Sequence, residues 1–188
     1  MENIALFLLD IVQNAIEAHA SSISIDIEEK NQQLRISIAD NGRGMSQEIL
    51  NNVLNPFYTS RTTRKIGMGL PLLKQHVEQT GGFLHIVSEA NRGTTVSFAF
   101  NLWHIDCPPP GNIADVLSTL ITVNPQINFY VCIRSGLRTF SFESKKIREI
   151  FNGIPVFQSE LRQYLFSFLS ENMECFFISN VQHNSGGI

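Results

Sequence analysis

The sequence predicts an α/β sandwich, with one mixed sheet covered by helices on one face, followed by a smaller α+β domain. Three observations predict it. An aliphatic stripe at helical spacing opens the chain and gives way to segments that alternate apolar and polar residues. Glycine-marked breaks fall between these elements rather than inside them. A run of three prolines, 108–110, then divides the chain.

Ile4, Leu8, Ile11, Ala15 and Ala18 recur at three- and four-residue steps, the apolar face of an amphipathic helix. The period then switches to two. Ile23, Ile25 and Ile27 alternate with Ser24 and Asp26, and after a polar turn Leu34, Ile36 and Ile38 alternate up to Asp40. These two strands predict a hairpin. Asn41-Gly42 and Gly44 break the second strand. Ser46 can N-cap a short helix reaching about residue 54, with Glu48 in its first turn and Pro56 as its stop. Residues 57–67 are polar and basic without a period, so they predict a loop. A helix over about 70–79 closes at Gly81-Gly82, and strands over 83–88 and 94–100 flank Asn91-Arg92-Gly93.

Beyond the prolines the composition shifts: nine of the fourteen phenylalanines and all three cysteines follow residue 103. Helices are expected over about 112–123, 145–151 and 159–172, with strands near 127–133 and 139–142. The expected organisation is a first domain at 1–104, a proline-rich linker at 105–111, a small α+β domain at 112–178 and a disordered tail at 179–188.

Hydrophobic residues at 43% and charged residues at 16% suit a chain that buries a core. A formal net charge of -3 argues against broad electrostatic binding to nucleic acid or an anionic membrane. Cys107, Cys132 and Cys175 show no CxxC spacing, which argues against a zinc ribbon or dithiol site. The apolar run at 4–9 lacks a basic flank and is cut by Asp10, well short of the roughly 20 residues of a membrane span. A cytoplasmic location is expected.

Three clusters could carry chemistry. Asp10, Asn14 and Glu17 lie at i, i+4 and i+7, one polar stripe of the first helix. A carboxylate and an amide oxygen one turn apart can hold a hydrated Mg²⁺, and the carboxylate could orient a water. The plain alternative is a solvated face. D-N-G-R-G-M, residues 40–45, ends a strand. Asp40 there can accept a hydrogen bond from an exocyclic amine, Gly42 and Gly44 admit a close backbone approach, and Met45 supplies an apolar wall. The alternative is an ordinary Asn-Gly turn. G-M-G-L-P-L, residues 67–72, begins a helix whose free N–H groups favour phosphate, behind a loop carrying Arg61, Arg64 and Lys65. The alternative is a glycine-marked loop.

The order of these pieces resembles the GHKL nucleotide-binding fold of histidine kinases, gyrase, MutL and chaperones, a Bergerat-type two-layer sandwich. L-D-I-V-Q-N-A-I-E-A looks like its N-box, D-N-G-R-G-M its G1 box, G-M-G-L-P-L its G2 box and G-T-T-V-S-F, from Gly93, its G3 strand. The likeness covers about residues 1–102. It implies ATP and Mg²⁺ as cofactors. Asn14 would coordinate the metal, Asp40 would read the adenine amino group, and Gly42, Gly44 and Met45 would shape the adenine pocket. Gly67 and Gly69, with Met68 and Leu70 in the same box, would hinge a lid and cradle phosphate. Thr94 would support Asp40, directly or through water. N-P-F-Y-T-S-R, residues 55–61, resembles a stretch of nitrogen-regulation-type histidine kinases, which makes Phe57 a lid anchor and sends Arg61 toward the γ-phosphate.

Three departures stand out. Pro71 replaces a glycine of the G2 pattern. Asp10 stands where gyrase- and MutL-like ATPases carry a catalytic glutamate. No helical hairpin with a phosphoacceptor histidine precedes the N-box helix, and none of His19, His76, His85, His104 and His183 sits in an H-E-L-R-T-like context. The resemblance therefore implies a kinase-like protein that moves the γ-phosphate to a separate partner protein or to water, with Asp10 and Arg61 at the reacting end. The rival expectation is an ATP-gated binding module without turnover. The phenylalanine-rich helix near the end reads as core, or as a surface for a partner or for a second copy in a homodimer.

Overall fold

A computed structural model describes residues 3–55, 69–150 and 158–177. Helix α1 (Ile4–Glu17) leads into the hairpin of β1 (Ser22–Lys30) and β2 (Gln33–Asp40). Helices α2 (Gln47–Asn52) and α3 (Gly69–Gln79) precede a second hairpin, β3 (Phe83–Glu89) and β4 (Gly93–Asn101). Helix α4 (Ile113–Val123), strands β5 (Asn128–Ser135) and β6 (Arg138–Glu143), and helices α5 (Ser144–Ile150) and α6 (Gln158–Phe177) complete the chain.

The strands form one six-stranded sheet in the order β3-β4-β2-β1-β5-β6. Every neighbouring pair is antiparallel except β1 and β5, so the sheet is mixed. Its register puts the apolar residues of each strand in phase. Ile25 lies opposite Ile38 on one side and Val131 on the other, and Ile27 lies between Ile36 and Ile133. Phe98 and Phe100 extend these rows into β4, opposite Ile36 and Leu34. All are buried. Leu8, Ile11 and Val12 of α1, Leu73 and Val77 of α3, Leu117 of α4, and Leu165 and Leu169 of α6 join them in one core. The opposite face is more polar, with Phe83, Val87 and Tyr130 exposed on it. Ser37 and Ser97 share a hydrogen bond of 2.8 Å across β2 and β4, and Asp26 pairs with Arg134 at 3.3 Å across β1 and β5. Helices on one face and solvent on the other account for the period-two pattern in each strand.

The two-layer expectation is met, but the chain after the prolines is arranged differently from a separate small domain. Strand β5 pairs along β1 from Ser22 to Glu29, and the core runs through both parts. The reason is physical. The first hairpin leaves β1 with an unpaired edge and an apolar row, and Phe129, Val131 and Ile133 continue that row in phase. The proline stretch is itself built in. The N–H of Ile4 donates to the Pro109 carbonyl and that of Ala5 to the Pro110 carbonyl, each at 3.0 Å. The Leu6 N–H donates to Asn3 Oδ1 at 3.0 Å. Three of the otherwise unpaired donors at the start of α1 are thus satisfied from outside the helix. Gly111 has φ +69°, and a Cβ there would fall 2.4 Å from Asn3 Oδ1. The tail expected from residue 179 lies outside the described residues.

If both parts share one core, they unfold together. Phe129→Ala should cost about 3–5 kcal/mol and lower a single calorimetric transition. Two separate endotherms, with only one moved, would show that the parts fold independently.

Candidate functional site

Helix α1 carries the site because its two faces do different work. Its core stripe anchors it to the sheet, which leaves Asp10 exposed and Asn14 half-buried on the other side. Asp10 lies against the first residue of α3: a Cβ at Gly69 would sit 3.1 Å from Asp10 Oδ2. Asp10 of the stripe predicted on α1 therefore meets the start of α3, and the N-terminal end of a helix favours an anion. Leu70 and Pro71 follow in the first turn, half-buried. Pro71 costs little there, since its position needs no N–H. Phe57, Arg61, Gly67 and Met68 lie outside the described residues.

The other end of α1 touches the loop after β2. The Ala18 carbonyl accepts from the Arg43 N–H at 2.9 Å. A Cβ at Gly42 would lie 2.7 Å from that same carbonyl and 2.9 Å from Asp40 Oδ1. From Asp10 to Ala18 is eight residues, about 12 Å along the helix. One helix thus spans from the start of α3 to the D-N-G-R-G-M loop.

That loop is held by backbone-on-backbone contacts. Gly44 has φ +60°, and its Cβ would come 2.0 Å from the Glu89 carbonyl oxygen. Gly93 has φ +91°, and its Cβ would come 1.9 Å from the Asp40 carbonyl oxygen. The Asn91 N–H donates to the Arg43 carbonyl at 2.7 Å. Gly42 and Gly44, singled out for a close approach to a flat ring, are closed to side chains by the protein's own packing, whatever lies in the pocket.

Within this frame the Gly42 N–H donates to Asp40 Oδ1 at 2.7 Å, and the Thr94 N–H supports the same carboxylate. Asp40 is opposite Thr94 in the β2–β4 register. Burial pushes the Asp40 carboxyl above its ordinary value of 3.8, while the Gly42 and Thr94 N–H groups pull it back. A half-buried carboxyl acceptor, with the apolar Met45 in the same loop, suits a partner that donates a hydrogen bond from a flat edge.

The structure brings Asp40, Gly42, Gly44, Met45 and Thr94 to one place and sets Asp10 beside Gly69. Sequence reasoning missed two organisers. Asn41 Oδ1 accepts from the N–H groups of Ser21 and Ser22, both at 2.9 Å, and so ties the loop to the start of β1. Ser88 accepts from the Met45 N–H at 2.9 Å and lies 2.9 Å from Thr94 Oγ1. Its signal was available: Ser88 continues the inward phase of Leu84 and Ile86, a polar residue at an apolar position.

A model of the family described as "Histidine kinase-, DNA gyrase B-, and HSP90-like ATPase" matches residues 2–104. Sporulation kinase D of Bacillus subtilis is 34% identical over 98 residues, 51% of this chain and 19% of that protein. Sensor histidine kinase ZraS of Escherichia coli is 32% identical over 98 residues, 51% of this chain and 20% of that protein. The chain thus spans about a fifth of the curated relatives it matches. Among solved structures, the N-terminal domain of a DNA repair protein superimposes with a TM-score of 0.57 at 17% identity. It covers 75% of this chain and 52% of that one, a likeness of fold.

Two outcomes test the geometry. Gly44→Ala adds a Cβ against a backbone oxygen at positive φ, and should cost about 2 kcal/mol or more in urea unfolding. Carbon-13 NMR titration of Asp40 should give a midpoint above 3.8. The sign follows: a raised carboxyl pKa contributes stability at low pH that is lost as pH rises through the folded-state value. Asp40→Asn should therefore gain stability relative to wild type as pH rises from 3.8 through the folded-state value, measured as a difference in melting temperature.

Proposed function

The chain belongs to the histidine kinase-, DNA gyrase B- and HSP90-like ATPase family, and we propose that it binds ATP with Mg²⁺ and passes the γ-phosphate to a separate partner or to water in a regulatory role. Membership in this family implies ATP binding; the metal, the transfer and the partner are the proposal. The observation that carries it is the contact between Asp10 and Gly69, which sets a carboxylate beside a helix start suited to phosphate.

In this reading Asp40 accepts a hydrogen bond from the adenine amino group, and Gly42, Gly44 and Met45 frame the ring. The phosphates point toward the start of α3, with Gly69 and Leu70 in its first turn. Asn14 offers Mg²⁺ one side-chain oxygen. No cluster of three histidine, cysteine, aspartate or glutamate residues that could hold a metal occurs among the described residues. That donor set fits Mg²⁺, which keeps several waters and takes much of its coordination from substrate phosphates. The bound ion would neutralise phosphate charge; Asp10 would orient the attacking group. Phosphoryl transfer is chiefly positioning and charge neutralisation, so few residues suffice. Phe57, Gly67 and Met68 would shape the lid, and Arg61 would add charge at the γ-phosphate. The phosphate acceptor is a separate protein or water. No described helix is long and apolar enough to cross a membrane.

ATP turnover with Mg²⁺ should fall about 100-fold or more in Asp10→Asn, while nucleotide affinity, measured by calorimetry on the same samples, stays within about threefold. Equal turnover in both proteins would remove Asp10 from the reaction. Binding without turnover, and without transfer of labelled phosphate to any added protein, would favour an ATP-gated binding module.

A further inference from the structure

The Ser88 hydroxyl stands at a junction that the family motifs leave out. It accepts from the Met45 N–H at 2.9 Å, contacts the Gly93 carbonyl at 3.0 Å and lies 2.9 Å from Thr94 Oγ1. Met45 frames the pocket, Gly93 presses on the Asp40 backbone, and the Thr94 N–H supports the Asp40 carboxylate. One side chain on β3 therefore ties together the three segments that surround Asp40.

Counting protons fixes the direction of these bonds. A serine hydroxyl has one proton and two lone pairs. The Gly93 carbonyl can only accept, so the Ser88 proton goes there. The Met45 N–H can only donate, so it takes one Ser88 lone pair. The remaining lone pair faces Thr94 Oγ1, and that contact is a bond only if Thr94 donates its proton to Ser88. This arrangement keeps all three contacts as hydrogen bonds; the opposite polarity gives up the one from Ser88 to the Gly93 carbonyl. With its proton committed, the Thr94 hydroxyl has only lone pairs left to offer.

We infer that Ser88 is a positioning residue that sets the base specificity of the pocket by holding the Thr94 hydroxyl as an acceptor beside the Asp40 carboxylate. The inference rests on the reading of this site as an adenine pocket. Two acceptors side by side, Asp40 and Thr94, match a purine bearing an exocyclic amine. They oppose a purine that brings a 6-oxo group into direct contact with them. Without Ser88 the Thr94 hydroxyl can turn its proton outward, and the pocket then tolerates an oxo group. The carboxylate also loses part of its frame, because the Met45 N–H and the Gly93 carbonyl lose their bonds to Ser88.

The test compares ATP with inosine triphosphate, which carries an oxygen where adenine has its amine. Calorimetry on wild type, Ser88→Ala, Ser88→Thr and Thr94→Val gives both affinities, with melting temperatures from the same preparations. Wild type should prefer ATP by at least about tenfold, the lower range for a well-placed polar contact. Ser88→Ala should lose most of that preference, Ser88→Thr should keep it, and Thr94→Val should lose it independently of Ser88. If ATP and inosine triphosphate weaken by the same factor in Ser88→Ala, Ser88 is only a structural strut and the proposal is overturned. Should Ser88→Ala melt too low to measure, retention of the preference in Thr94→Val would overturn it as well. Wild type binding neither nucleotide would instead overturn the adenine reading on which this rests.

Discussion

The structure depends on one buried row along β1. Ile23, Ile25 and Ile27 have no measurable exposure, and each faces an apolar neighbour or the site loop on the β2 side and an apolar neighbour on the β5 side. Because side chains alternate along a strand, shifting either neighbour by one residue would turn its whole apolar set toward solvent. The row thus fixes the register of strands on both sides at once. It also fixes where β2 ends, and so where Asp40 projects.

A second level of order rests on that register. Asp40 faces Thr94 because Ile38 faces Val96 and Ile36 faces Phe98. The loop after Asp40 then has no freedom to wander, since Gly42, Gly44 and Gly93 each bring backbone against backbone or against α1. Sheet register and glycine contacts together place a carboxylate with two N–H donors in a half-buried pocket, at a cost its raised pKa records. Such preorganisation is how a site holds a polar group ready for a ligand before the ligand arrives.

Much of this was legible from residues. The period-two stretches gave the strands and their buried faces, because a sheet with helices on one side needs that alternation. D-N-G-R-G-M and Thr94 lie together because Asp40 faces Thr94 in the sheet register. Two things stayed hidden. The proline run reads as a boundary between domains, yet β5 belongs beside β1; no local pattern says which distant strand completes an edge. The role of Ser88 was also concealed, since a lone serine at a strand end has many uses and only the fold brings it to Met45, Gly93 and Thr94.

The start of α1 has one more consequence. Its first N–H groups are completed by carbonyls of Pro109 and Pro110, more than a hundred residues later in the chain. During synthesis the helix that bears Asp10 and Asn14 therefore emerges long before its cap and before β5, the strand that covers the second edge of β1. A ribosome-bound fragment ending near residue 104 contains every recognisable nucleotide motif and lacks both closures. Domains usually fold as units while they are made; here the unit is finished only when the segment carrying no motif has left the ribosome.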